Sequence, residues 1–386
     1  METLLAVRDR LVATVAPLAT EAVPAAAALG RYLAASAVAR RAAPPVTCSA
    51  MDGYAVRAAE VGPQVTLRVR QAAYAGGPVA PLPPGDAVRI FTGAPLPEGA
   101  DAVVREEAAA AGAGTVTFRH SAVAGENVRR AGEDVPAGGE ALAAGARLGP
   151  RQLALLEAVG VERVEVVRRP RVVVLSTGDE VVTGRTPDSN GLAVAGLCAA
   201  LGAEVERASA PDSLGPLQAA LQAALARADA VVTIGGVSIG ERDLVPAALA
   251  GCGAEVLVHG VAMKPGKPFL FAHHAGKPVL GLPGSPSACL VAFEVFGRPA
   301  LLARCGAAVR HRPALRLPLA APVSGRSGRA RLLWGRLEPD GRVSPIGRDA
   351  AQVRGPALAD LLITLGAGAG DLPAGAEVTA WLLGDG

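Results

Sequence analysis

Residues 170–305 alternate short Val-rich runs with helix-patterned segments, and that alternation limits the fold more than any other feature of the chain. Arg171–Leu175, Glu204–Arg207, Ala230–Ile234 and Pro278–Leu282 read as strands. Leu192–Leu201 reads as a helix stopped by Gly202, and Leu214, Leu217, Leu221 and Leu225 mark one face of another. Ser287–Phe296 follows as a helix with Pro286 near its first turn. Strands this apolar must be covered on both sides, so the pattern predicts a parallel, doubly wound sheet with helices on both faces. In such sheets ligands bind beyond the carboxyl ends of the strands. Three of those ends are polar and glycine-rich: Ser176–Glu180, Gly235–Ser238 and Gly281–Pro286.

The flanking segments have other textures. Residues 1–45 read as helical, with Leu4, Leu5, Leu11, Val12 and Val15 near one face and a second, Ala-rich stretch before Pro44-Pro45. From Val46 to about Pro136, short Val-rich runs (Val65–Val69, Ala87–Ile90, Ala102–Val104, Thr115–Phe118) are separated by Gly/Pro turns, as in a small β domain. Leu148–Val159 reads as a helix that packs back on the N-terminal helices, which makes the β segment an insertion. From about Arg312 the chain is β again. Arg331–Leu337 and Arg342–Ile346 flank the turn Glu338–Gly341, and Glu377–Leu383 is a last strand. The expected architecture is multidomain α/β and β. Residues 1–45 with 137–168 form a helical linker, 46–136 an inserted β domain, 169–306 the central α/β domain, and 312–386 a small barrel-like β domain.

Composition excludes several classes. The net charge is +3 over 386 residues with the basic side chains scattered, which disfavours a nucleic-acid groove or a polybasic membrane patch. Cys48, Cys198, Cys252, Cys289 and Cys305 are far apart and lack zinc or redox spacing, so reduced thiols and a cytoplasmic location are expected. Arg8-Asp9-Arg10 interrupts the start too early for a signal-peptide core, and no run of ~18 uninterrupted apolar residues is present. The histidines show neither metal spacing nor a triad arrangement. Without a Walker A sequence or a full G-x-G-x-x-G, an NTPase or NAD enzyme is disfavoured.

The glycine loops carry the chemistry. A strand running into Gly235-Gly236-Val237-Ser238 exposes backbone N–H groups able to hold an anion, although paired glycines also serve as a plain tight turn. Asp243 follows that loop, and Asp179-Glu180 follows the first. Carboxylates beside an anion loop repel the ligand unless a divalent cation lies between them, which suits Mg²⁺ held by one or two carboxylates and ligand phosphates. Lys264 and Lys267, stiffened by Pro265 and Pro268, add point charges for an oxyanion. Gly284-Ser285-Pro286-Ser287 is a helix N-cap and an anion-ready N-terminus together. Ser49–Ala55, Phe91–Pro97 and Gly125–Asp134 read by themselves only as turns with packed side chains.

Taken in order, SAMDGYA (49–55), IFTGAPLP (90–97), GENVRRAGED (125–134), STGDE (176–180), DSNG (188–191), GGVSIGERD (235–243), KPGKPF (264–269) and GLPGSP (281–286) resemble the MoeA family of molybdopterin molybdenumtransferases, which includes the gephyrin E domain. The resemblance implies an L-shaped, four-domain homodimer. Residues 1–45 with 137–168 would serve dimerisation, and the α/β domain would bind molybdopterin. Asp52, Thr92 and Asp134 would reach the partner subunit's site. It further implies insertion of molybdate into adenylylated molybdopterin, with Mg²⁺-dependent release of AMP. Lys264 and Lys267 would hold the oxyanion. Glu180, Asp243 and Asp212 would carry metal or orient water, with Glu180 and Asp243 as the metal ligands. Thr177, Gly178, Asp188, Asn190, Gly235, Gly236, Ser238, Pro283, Gly284, Ser285, Pro286 and Ser287 would bind the pterin nucleotide. The adenylyltransferase of the preceding step is an implied partner.

The chain departs from the family pattern at Gly260, Trp334 and Ala350-Ala351, where members usually carry Lys, Arg and a Gly-Ser pair, and Ser285 replaces the usual Asn of GLPGNP. Those Lys, Arg and Ser residues lie near the molybdate in the family. Their replacement leaves Arg331, Arg336 or Arg348 as substitutes, or else implies a non-catalytic molybdopterin-binding scaffold. A molybdopterin adenylyltransferase is the third reading, against which the full Asp52 and Thr92 loops argue.

Overall fold

The computed structural model describes residues 2–238, 240, 243–325, 328–347 and 352–384; Arg348, Ala350 and Ala351 lie outside the described residues. Its centre is a six-stranded sheet in the order Glu204–Ala210, Arg171–Thr177, Ala230–Ile234, Lys277–Leu282, Leu270–His274, Glu255–His259. The first four strands run parallel; Leu270–His274 runs antiparallel to Lys277–Leu282, and Glu255–His259 runs antiparallel to Leu270–His274. The wholly parallel sheet expected from the alternation is therefore corrected to a mixed one. A two-residue turn at Ala275-Gly276, both at positive φ (+48° and +75°), folds Leu270–His274 back onto Lys277–Leu282. Alanine in that conformation gives no turn signal in the sequence.

Side chains alternate across the sheet. Val172, Val174, Val232 and Leu280 face a core shared with Val194 and Cys198 of the helix Ser189–Ala200 and with Phe293 and Phe296. Val173, Leu175, Val231 and Val279 face a second core with Leu217, Leu221 and Leu225 of Leu214–Arg227. This double burial explains why the strands read as unbroken apolar runs. The helical run Pro286–Arg304 is long and apolar enough to cross a membrane, but 83% of it is buried in the protein.

At the base of Ala230–Ile234, Asp229 (5% exposed) accepts two bonds from the Arg168 guanidinium, at 2.6 and 2.7 Å, and one from the Arg171 N–H at 2.8 Å. Burial alone would raise its pKa; the Arg168 and Arg171 bonds and charges outweigh burial and hold it at about 2, against an ordinary 3.8. A depressed carboxyl pKa gives stability that is present above the ordinary value and lost as pH falls through the folded one. The excess thermal stability of the native chain over Asp229→Asn is therefore expected to be full at pH 6 and to shrink between about pH 4 and pH 2. A stability difference that stays constant across that window would remove the ion pair from the account.

The N-terminal segment holds one helix, Leu4–Thr14, capped by the Thr3 hydroxyl, which accepts from the Ala6 N–H at 3.3 Å. Leu4, Val7 and Leu11 bury against the α/β core. The second helix expected before Pro44 does not form. Thr20–Pro24 is a strand antiparallel to Arg163–Val167, with one 3₁₀ turn at Ala25–Ala27. Pro17 and Pro24 cannot sit inside a helix, and the Arg163–Val167 partner offers the ladder that local alanine propensity cannot foresee. The helix Pro150–Ala158 shares a core with Ala28, Leu33 and Ala39. Between these segments lies a six-stranded sheet ordered Ala102–Arg105, Gly53–Val56, Asp86–Ile90, Thr66–Ala73, Thr115–Phe118, Ala109–Gly112.

The C-terminal sheet runs Ala330–Leu337, Leu361–Leu365, Glu377–Leu382, Ala314–Pro318, with Val343–Pro345 paired to Ala330–Leu337 across the expected turn. A bridge from Leu319 to Val343 curls it back on itself. Its outer member comes from the α/β domain: Met263–Lys264 pairs parallel with Ala330-Arg331. The two domains thus share one hydrogen-bonded ladder.

Candidate functional site

The carboxyl ends of Arg171–Thr177 and Ala230–Ile234 open into a cleft of about 350 Å³. Thr177 caps the first strand and donates its hydroxyl to the Ile234 carbonyl at 3.2 Å. Gly235 and Gly236 lie at φ +86° and +65°, and an added Cβ would come within 2.8 and 3.2 Å of the Thr177 Oγ1. Only glycine lets the loop approach that hydroxyl in this conformation. Gly178 lies at φ +143°, a backbone conformation that other residues rarely adopt. Glu180, Asp212 and Asp243 line the same cleft. Asp243 Oδ2 accepts the Gly240 N–H at 2.7 Å, and Asp179 Oδ1 accepts the Asp212 N–H at 3.1 Å.

One wall is built on Asp188, the N-cap of Ser189–Ala200. Its Oδ1 accepts from the Ser176 hydroxyl and the Gly191 N–H, each at 2.9 Å, and its Oδ2 from the Arg207 guanidinium at 2.8 Å. Burial pushes its pKa up; the Arg207, Gly191 and Ser176 bonds with the Arg207 charge more than reverse this, and the carboxyl stays below its ordinary value. Both oxygens are engaged by protein donors, so Asp188 shapes the wall. Asn190 donates to the Gly284 carbonyl at 2.7 Å and ties that wall to the third glycine loop.

Lys264 and Lys267 are not in this cleft. They line a second cavity of about 590 Å³ between the α/β domain and the C-terminal sheet. The loop Pro283–Pro286 separates the two spaces: Pro283 and Ser285 face the lysine cavity, Gly284 and Pro286 the glycine cleft. Ser287 also lines the lysine cavity and accepts the Trp334 Nε1–H at 2.8 Å. Ser238 is exposed and lines neither space. Of the arginines considered as substitutes, Arg331 lines the lysine cavity and Arg336 a neighbouring hollow.

Asp52, Thr92 and Asp134 sit on the inserted β domain and line neither space. Asp52 Oδ1 accepts both the backbone N–H and the hydroxyl of Thr92 at 2.7 Å, and these two bonds, outweighing burial with help from the Arg89 charge, lower its pKa. Asp134 accepts from Arg129 at 2.6 Å, which also holds Glu133. Sequence reasoning missed Arg207, which holds Asp188, and Arg329, which lines the lysine cavity; both sit among many scattered arginines with no distinguishing spacing. The Trp334–Ser287 bond was also invisible, because 46 intervening residues separate the partners.

The sequence matches the MoeA N-terminal region (domain I and II) over residues 3–160, a probable molybdopterin binding domain over 173–303 and the MoeA C-terminal region (domain IV) over 316–383. The Mycobacterium tuberculosis (strain H37Rv) protein named molybdopterin molybdenumtransferase 2 is 36% identical over 380 residues, covering 93% of this chain and 94% of that one. The Haemophilus influenzae molybdopterin molybdenumtransferase is 40% identical over 261 residues, 65% of this chain and 64% of its own length, so the match spans just under two thirds of that relative. A crystal structure of the molybdopterin biosynthesis MoeA protein from Pyrococcus horikoshii has a TM-score of 0.75 at 32% identity and covers 98% of each chain. Another, with a TM-score of 0.84 at 24% identity, covers 99% of this chain and 100% of that one and shares its fold. Matched along its length by a relative at 36% identity, and by all three regions in order, the chain belongs to the MoeA family of molybdopterin molybdenumtransferases.

Proposed function

We propose that this protein inserts molybdate into adenylylated molybdopterin and releases AMP, in the cytoplasm, as a homodimer whose two sites each borrow Asp52, Thr92 and Asp134 from the other subunit. One observation carries the reading. A glycine cleft rimmed by carboxylates and a cavity rimmed by cations share a single wall, Pro283–Pro286. A substrate with a nucleotide at one end and a metal-accepting dithiolene at the other needs two such compartments side by side. The Gly235–Gly236 turn and Asn190 bind the nucleotide portion, and Lys264 and Lys267 hold the oxyanion by charge that needs no reorganisation.

The donor set suits Mg²⁺. Glu180, Asp212 and Asp243 offer hard carboxylate oxygens in one cleft. Among the described residues no group of three or more His, Cys, Asp or Glu is placed to hold a metal. An ion here would rest on Glu180 and Asp243 and complete its shell with water and phosphate oxygens, as Mg²⁺ habitually does. When bound it would polarise the phosphoryl oxygen. Asp243 also fixes the Gly240 turn, so its carboxylate has two tasks.

The test mixes purified protein with adenylylated molybdopterin, molybdate and Mg²⁺ and follows AMP. Molybdate-dependent AMP release is expected. Background rates with the pterin nucleotide tightly bound would sink the transferase and favour a scaffold. Asp243→Asn keeps an acceptor for the Gly240 amide but loses the charge. It is expected to raise the Mg²⁺ needed for half-maximal rate by about 10- to 100-fold. An unchanged Mg²⁺ requirement would take Asp243 out of the metal site.

A further inference from the structure

The geometry points to Trp334 as a positioning residue: from the C-terminal sheet it holds the wall between the two compartments, and through that wall it fixes the loops of the glycine cleft. Trp334 lies in Ala330–Leu337 and is 7% exposed. Its indole Nε1–H donates to the Ser287 hydroxyl oxygen at 2.8 Å, and Ser287 is 4% exposed. Ser287 stands in the first turn of the helix Pro286–Ala292, directly after the wall Pro283–Pro286. Leu332, Trp334 and Leu362 of the C-terminal sheet belong to the same buried core as Met263, Cys289 and Ala292 of the α/β domain. Close packing fixes the indole there, so the sheet presents its N–H to the wall as an anchored donor.

The wall holds the cleft side by its carbonyls. Asn190 donates to the Gly284 carbonyl at 2.7 Å, and the Gly235 N–H donates to the Leu282 carbonyl at 2.9 Å. The Cys289 N–H donates to the Ser285 carbonyl at 2.9 Å, which ties the wall to the helix that carries Ser287. Pro283 and Pro286 narrow the backbone freedom of the wall itself. A displacement at Ser287 is therefore passed to Gly284 and Leu282, and from them to Asn190 and the Gly235 turn. The Trp334–Ser287 bond is the side-chain link through which the C-terminal sheet enters this series. Loss of the Ser287 hydroxyl leaves the buried indole N–H without its acceptor, which costs more than removing both partners together. The inference rests on the proposed function only for its effect on the rate.

The experiment follows backbone hydrogen exchange in the full-length protein by mass spectrometry, comparing the native chain with Trp334→Phe, Ser287→Ala and the double variant. Each single variant is expected to speed exchange over Gly284–Cys289 by about three- to tenfold, the range of one hydrogen bond, with Val172–Leu175 in the sheet interior unchanged. The double variant should exchange no faster than Ser287→Ala, because both changes act on one bond. Native exchange at the wall in both single variants, equal acceleration throughout the α/β domain, or additive effects in the double variant would each overturn the proposal. Ser287→Ala removes one oxygen atom and keeps this measurement decisive if Trp334→Phe does not fold. In turnover, Trp334→Phe is expected to lower the maximal rate of AMP release about tenfold with little change in the KM for molybdate, since alignment and not charge is lost. A faster-exchanging wall with native turnover would reduce Trp334 to a structural strut and overturn its positioning role. No AMP release from the native chain would retire the transferase, and the exchange result would then decide the wall contact by itself.

Discussion

Glu294→Ala is expected to lower the stability of the protein by about 3–5 kcal/mol. Glu294 lies in the wide helical turn Phe293–Gly297, inside the α/β core. Its carboxylate meets the Arg312 guanidinium in two bonds, at 2.9 and 3.1 Å, and both side chains are 4% exposed. Arg312 also donates to the Gly384 carbonyl at 3.1 Å, so it links the start and end of the C-terminal segment to the α/β core. Removing the carboxylate takes two charge-assisted bonds and the opposing charge from a guanidinium held away from water, and that loss accounts for most of the cost. The double replacement Glu294→Met with Arg312→Leu removes both charges and keeps the volume. It should recover most of the loss. Thermal and guanidinium unfolding measure the difference, with limited proteolysis of the C-terminal sheet as a second readout, since a multidomain chain need not unfold in one step. A double variant as unstable as the single one would show that packing, not charge, is what Glu294 provides.

Lys264→Met is expected to slow molybdate-dependent AMP release by about 10²- to 10³-fold, the range seen when one fixed donor to a developing charge is lost. Its melting temperature should stay near that of the native chain, because the Lys264 side chain is exposed and its backbone, not its ammonium, makes the ladder to Arg331. Lys264→Arg keeps the charge but spreads it over a planar fork, so it should restore only part of the rate. The Lys264→Met loss should appear mainly at limiting molybdate if the ammonium binds the oxyanion before reaction. It should appear in the maximal rate if it acts on the transition state. Turnover of Lys264→Met within threefold of wild type would remove the lysine from the site.

The central sheet was legible because burial on both faces writes itself into the chain as Val-rich runs with leucines at helical spacing between them. Gly235 and Gly236 were legible for a related reason: a strand end that must turn at positive φ against Thr177 admits no other residue. The strands Glu255–His259 and Leu270–His274 were not, because their turn uses Ala275 in a conformation alanine seldom adopts. The Ala-rich stretch after Leu4–Thr14 misled in the opposite direction. Alanine favours helix locally, but Pro17, Pro24 and the distant partner Arg163–Val167 make Thr20–Pro24 a strand.

By itself the sequence determined the strand–helix alternation, the glycine loops at the strand tips and the family, since each depends on residues near one another in the chain or on a fixed order of motifs. Only the tertiary structure decided that the carboxylates and the lysines occupy two compartments with the Pro283–Pro286 wall between them. It alone decided that Lys264 stands opposite Arg331 and that Trp334 satisfies Ser287. Those pairings join segments tens of residues apart, and nothing in local propensity or periodicity records which distant surface will come to lie against a given side chain.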